Sequence, residues 1–141
     1  MEIDLKQANQ AMAHTLGNTL GMEVKELIDG QVTITMPVDQ RHHQPYGILH
    51  GGASVALAET AASLGAWKLA QKDNKVAVGQ EINANHLRPV QSGIVTAKAQ
   101  VIHHGKNSQV WEIKIYDEEK KLFCISRCTL AIIDPLQLRN K

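Results

Sequence analysis

A chain of 141 residues is the size of one compact domain, and a domain of that size buries roughly 70% of its unfolded surface, so it needs no disulfide or metal to hold a core. Its charges nearly cancel, 15 Lys and Arg against 14 Asp and Glu for a formal net charge of +1. That balance excludes the basic excess of a general nucleic-acid binder and leaves room for a local basic patch facing one anionic ligand. No window approaches the roughly 18 apolar residues of a membrane span, and the opening segment lacks the basic-then-apolar order of a secretory leader.

The first element is a predicted helix from Asp4 to His14. Asp4 caps it, Leu5, Ala8, Met12 and Ala13 form its apolar face, and Gly17 and Asn18 end it. Two strands follow, Met22 to Ile28 and Gln31 to Pro37, and Asp29-Gly30 between them is a two-residue hairpin signal. Val38 to Leu49 then reads as a loop carrying two adjacent histidines, and loops of this length in a compact domain are commonly functional. Gly51 to Gln71 is the one long helical pattern, rich in Ala, Gly and Ser, and reads as a buried central helix that other backbone can approach closely.

Four strands are predicted after it: Lys75 to Pro89, Ile94 to His103, Gln109 to Tyr116 and Leu122 to Ile133. Turn residues separate them at Gln91–Gly93, Gly105–Asn107 and Asp117–Lys120. Strands joined by short turns pair antiparallel, so the four read as a meander. One sheet wrapped around one helix gives an α+β layer architecture, a single domain over residues 1–141. Cys124 and Cys128 lie in the last strand, and four strand residues span about 13 Å, beyond the reach of a disulfide of about 7 Å. They read as reduced, buried thiols, which fits a cytoplasmic address.

The stretch that carries chemistry runs from Gln44 to Glu59, QPYGILHGGASVALAE. Gly51 and Gly52 open the long helix, where first-turn N–H groups lack helical partners and the macrodipole is positive, a site suited to an oxygen gaining negative charge. Glu59 sits among Val55, Ala56, Ala62 and Ser63, so it reads as a buried carboxylate, with Ser63 one turn on as a hydrogen-bonding neighbour. Gly52 and Glu59 are seven residues apart and return to about the same helix face, so donor and carboxylate are expected to share one cleft.

This stretch resembles the hotdog-fold acyl-CoA thioesterases, in the branch whose catalytic carboxylate is a Glu on the central helix, as in the Arthrobacter-type 4-hydroxybenzoyl-CoA thioesterases. Within that branch it is similar to bacterial 1,4-dihydroxy-2-naphthoyl-CoA thioesterases and enterobactin-proofreading thioesterases. MPVDQRHHQPYGILHGGASVALAET, GQEINANHLRP and SQVWEIKIYDEEKKL carry the resemblance over nearly the whole chain.

The resemblance implies a hotdog fold, an antiparallel β-sheet wrapped around a long central α-helix. It implies Glu59 as nucleophile or general base, the Gly51 N–H as the group polarising the thioester carbonyl, Gln44 assisting there, His50 orienting the thioester, and Ser63 orienting the attacking water. For substrate and coenzyme A binding it implies Gly79, then His86, Leu87, Arg88 and Pro89, then the loop His103, His104, Gly105, Lys106, Asn107 and Ser108, with Arg88 and Lys106 the candidates for the phosphates. It implies no separate cofactor, since coenzyme A is part of the substrate. It also implies a homodimer that builds each site across its interface, doubled to a tetramer, with an acyl-carrier domain as an alternative bearer of the acyl group.

Competing readings attach to the same residues. Seven histidines invite a metal, but neither HxH nor HExxH occurs, and His42, His43 and His104 read as loop or strand-edge residues. Trp67 and Trp111 read as packing residues. A non-catalytic acyl-CoA or acyl-carrier binding module would account for the fold but has no need of Glu59 and Gln44. A hotdog hydratase would resemble a different pattern, built on a His-Asp or His-Glu pair.

Overall fold

The computed structural model describes residues 2–139. Helix α1 spans Leu5–Ala11, with the Asp4 carboxylate accepting the Gln7 N–H at 2.7 Å and the Gln7 amide returning to the Asp4 N–H. The first helix ends at Ala11, short of His14, and Gly17 and Asn18, which were expected to end it, lie instead within a second short helix, α2, Leu16–Thr19. His14, in the left-handed region at φ 62°, turns the chain between the two. Strands β1 (Glu23–Ile28) and β2 (Gln31–Val38) form the expected hairpin, with Gly30 at φ 80° in the turn, where a Cβ is disfavoured.

Helix α3, Gly51–Ala70, is the central helix. Ala58, Ala61, Ala62, Ala66 and Leu57 on it are fully buried. At Gly65 a Cβ would collide with the ring of Trp111, so the missing side chain is what lets the indole lie on the helix. Trp111 is itself fully buried, and burying a side chain of that size contributes about 4–6 kcal/mol by area. Its Nε1–H donates to Gln109 Oε1 at 2.9 Å, so the one polar atom of the indole is satisfied inside the core.

The remaining strands are β3 (Val76–His86), β4 (Gly93–His104), β5 (Ser108–Tyr116) and β6 (Leu122–Ile133), and the six form one antiparallel sheet in the order β1-β2-β4-β5-β6-β3. The expected four-strand meander is therefore only partly present. β4, β5 and β6 are consecutive neighbours, but β3 pairs along its length with β6, from Val76↔Ile133 to His86↔Cys124, and not with β4. Both edges of β4 are already taken, by β2 and β5, so the chain leaving β3 has to cross over. β3 also stops at His86 rather than Pro89. Beyond it the Leu87 N–H bonds to Phe123 O at 2.7 Å and the Val90 carbonyl accepts the Leu49 N–H at 2.7 Å, which ties the crossover to the start of α3. β3 is an edge strand among the described residues, with one side unpaired over 11 residues.

Candidate active site

The segment from Val38 to His50 is folded tightly. A short 3-10 turn occupies Gln40–His42, His43 bridges Leu49, and the Gln44 and Gly47 N–H groups donate to Ile48 O and Gln44 O, both at 2.9 Å. Gly47 sits at φ 76°, and the Gln44 side-chain oxygen accepts the Tyr46 N–H, which fixes the Gln44 side chain at the head of the turn.

His50 then caps α3 with both its side chain and its backbone. Its Nδ1 accepts the Gly52 N–H at 2.7 Å, and its carbonyl accepts the Ala53 and Ser54 N–H groups at 3.0 and 3.3 Å. Among the described residues this leaves the Gly51 N–H as the first-turn donor without a partner, at the positive end of a 20-residue helix. The His86 imidazole covers Gly51: a Cβ there would stand 2.9 Å from Nε2. Gln44, Gly51, Ser54, His86 and Arg88 line one cleft of about 460 Å³.

The carboxylate lies in a second cleft, of about 510 Å³, lined by Glu59, Thr60, Ser63, Trp67, Ala77 and Leu16. Glu59 is half-buried rather than buried, in a cleft walled by Leu16 of α2 and Ala77 of β3. Its Oε1 lies against Gly79 of β3, in a notch beside the bulge between Gly79 and Glu81 that a Cβ at Gly79 would fill. Ser63 lines the same cleft but makes no hydrogen bond to Glu59, and the Thr60 hydroxyl donates instead to Ala56 O at 2.7 Å.

The expectation of one shared cleft fails within a single chain. Gly51 and Glu59 are eight residues apart on α3, a rise of about 12 Å, and they open into different clefts.

The other anticipated binding residues also divide. Leu87, Arg88 and Pro89 are exposed beside the Gly51 cleft. The loop from His103 to Ser108 sits at the opposite end of the sheet: Val101 N–H bonds to Gly30 O at 3.0 Å, and the neighbouring Asp29 pairs with Lys72 beyond the end of α3. Arg88 and Lys106 are thus far apart in one chain, near the two ends of a helix about 30 Å long.

Sequence reasoning missed Leu16, because α2 has no amphipathic period in four residues. Trp67 packs against the core as expected and, on the helix face it shares with Glu59 and Ser63 at a spacing of four, also lines the cleft. The two thiols are excluded as nucleophiles. Burial pushes Cys124 up to about 11, and burial together with the nearby Glu59 and Glu81 charges pushes Cys128 up to about 12.

A six-stranded antiparallel sheet around one long helix, opening on a helix N-terminus with a free N–H, is the hotdog fold of thioesterases. The thioesterase superfamily model matches residues 46–124, from the Tyr46 turn through α3 to β6, and the chain belongs to that superfamily. It is 53% identical over 117 residues to the 1,4-dihydroxy-2-naphthoyl-CoA hydrolase of Listeria monocytogenes, covering 83% of this chain and 94% of that one. It is 46% identical over 129 residues to the proofreading thioesterase EntH of Cronobacter turicensis, covering 92% and 93%. The crystal structure of a thioesterase from Haemophilus influenzae superposes with a TM-score of 0.91 at 48% identity, covering 96% of this chain and 94% of that one. The chain is an enzyme of the thioester-hydrolase class.

Proposed function

We propose that the protein hydrolyses aroyl-coenzyme A thioesters to the free acid and coenzyme A in a homodimer whose two sites each draw on both chains. The observation that carries this reading is the free Gly51 N–H at the start of α3, in a chain whose one carboxylate on the outer face of that helix is Glu59. The N–H and helix dipole would stabilise the tetrahedral oxyanion, with Gln44 beside it. Glu59 would activate water, or attack to give a mixed anhydride that water then opens. The thiolate is a weak base, so it leaves without a strong acid. Relatives named for a naphthoyl-CoA substrate and for proofreading support an acyl-CoA thioester, and an apolar cleft ending at Trp67 supports an aromatic acyl group.

The free edge of β3 supports the shared site. Gly79 touches Glu59 and His86 covers Gly51, and these two strand positions are about 23 Å apart. Antiparallel pairing of two β3 strands about a two-fold axis near Ile82–Asn83 sets Gly79 of one chain opposite the partner's His86. Glu59 then faces the other chain's Gly51, and an exposed edge is covered. The same pairing would bring Arg88 of one chain towards its partner's cleft as a candidate phosphate contact. Buried, reduced thiols support a cytoplasmic address.

The direct test is coenzyme A release, followed with a thiol reagent over benzoyl-, dihydroxynaphthoyl-, phenylacetyl- and straight-chain CoA esters. The expected outcome is turnover with preference for the aroyl esters. Tight binding without turnover would favour the binding-module reading instead.

A further inference from the structure

One buried titratable side chain has no part in this chemistry. His42, in the turn Gln40–His42 of the expected loop, is 1% exposed. Both ring nitrogens are engaged. Nδ1 accepts the Asp39 N–H at 3.1 Å, and Nε2 lies 2.7 Å from Leu20 O. A carbonyl oxygen only accepts, so Nε2 donates to Leu20 O, and Nδ1 also stands 3.2 Å from Asp39 Oδ1.

Two parts of the site meet at this residue. The His42 carbonyl accepts the His50 N–H at 2.8 Å, one residue before the Gly51 donor. Leu20 is the C-cap of α2, whose Leu16 walls the Glu59 cleft, and Arg41 doubles that link by donating from Nη1 to Thr19 O at 2.8 Å. An apolar residue of similar volume would fill the space without the desolvation cost of two ring nitrogens, so packing alone does not account for an imidazole here.

We infer that His42 is a positioning residue that ties the oxyanion-donating start of α3 to the α2 wall of the acyl cleft. The inference rests on the proposed thioesterase site and deepens it. In the shared-site dimer its two arms serve different active sites, the donor half of one and the carboxylate half of the other.

The two arms separate by substitution. In His42→Asn the amide oxygen takes the place of Nδ1 towards the Asp39 N–H but does not reach Leu20. In His42→Gln the amide N–H takes the place of Nε2 towards Leu20 O and leaves the Asp39 N–H open. His42→Asn is expected to loosen α2, raising KM for bulky aroyl esters and shifting preference among acyl groups, with kcat within about threefold of wild type, since uniform binding is what is lost. His42→Gln is expected to misplace the donor and lower kcat by about tenfold or more, short of the about 10²–10³ lost when a donor is removed outright, with KM nearly unchanged. Circular dichroism melts and sedimentation establish that each variant is folded and assembled. Wild-type kinetics in both folded variants, or parallel losses in both without the split between kcat and KM, would overturn the inference while leaving the thioesterase reading intact. Failure of both polar variants to fold would make His42 a stability residue and overturn it as well. Absence of hydrolysis by the wild type would remove the function beneath it, and the inference with it.

Discussion

Gly79→Ala is a substitution whose effect follows from one contact. A Cβ at this position falls inside the contact distance of Glu59 Oε1 and 3.4 Å from its Cδ. Ordinary heavy-atom contacts optimise at about 3.5–4.0 Å, so the carboxylate oxygen has to retreat by about 1 Å. The obstacle is the tip of a flexible side chain, and Gly79 is not among the positive-φ glycines, so the backbone accepts alanine. Stability should therefore change by no more than about 0.5 kcal/mol, the range for surface substitutions away from special features. Catalysis is less tolerant, because a displacement of about 1 Å in a reacting group costs about 10²-fold. The assay is saturating aroyl-CoA hydrolysis beside a thermal melt of the same preparation. The expected result is kcat down by about 10²-fold with an unchanged melt and near-normal KM, since only the transition-state interaction is lost. Wild-type kcat in folded Gly79→Ala would show that the notch does not set the carboxylate's working position.

Mixed dimers test the shared site. Glu59→Gln chains, and Gly51→Ala chains that keep the N–H but set a Cβ 2.9 Å from His86 Nε2 beside it, should each be impaired alone and recover about half of the wild-type rate per mixed dimer, because two-fold symmetry leaves one site free of both changes; no recovery would place each site within one chain. Replacing Arg88 and Lys106 together with alanine should raise KM with kcat unchanged, and the KM of the wild type should rise with salt as exposed charges are screened. An unaltered KM would place the coenzyme A phosphates elsewhere. Raised thiol pKa values of about 11 and 12 at Cys124 and Cys128 mean that the folded state holds protons the unfolded chain releases from 9.0 upward. This contribution to stability is intact below pH 9 and is lost as pH rises through about 11 to 12, so denaturant midpoints should fall over that interval and the native thiols should resist thiol reagents at neutral pH.

The fold was legible wherever local chemistry dictates it. The Asp4 cap, the Asp29-Gly30 turn, the small-residue helix and the last strand from Leu122 to Ile133 all occur where residue type and period place them. The partner of β3 was not legible, since pairing with β6 rather than β4 depends on which edges the rest of the sheet leaves open. The chemical residues were legible as types on one helix, but their separation was not. A spacing of seven returns Gly52 and Glu59 to one face while leaving them a long way apart along the axis, and face is what the period reports. Leu16 and His42 escaped because each role depends on a contact distant in sequence, as His42 Nε2 to Leu20 O, 22 residues away, illustrates.

Hydrolysis by Glu59→Gln tests the central claim most directly. The amide keeps the shape of the side chain and removes its charge and basicity, while Gly51 still presents its N–H to the carbonyl. Steady-state turnover of aroyl-CoA esters, measured beside calorimetric binding of a non-hydrolysable thioether analogue, should show kcat reduced by about 10²–10⁴ with analogue binding retained. A folded Glu59→Gln protein that keeps more than about a tenth of the wild-type kcat would contradict the account, because so small a loss is below what removal of a general base or nucleophile produces.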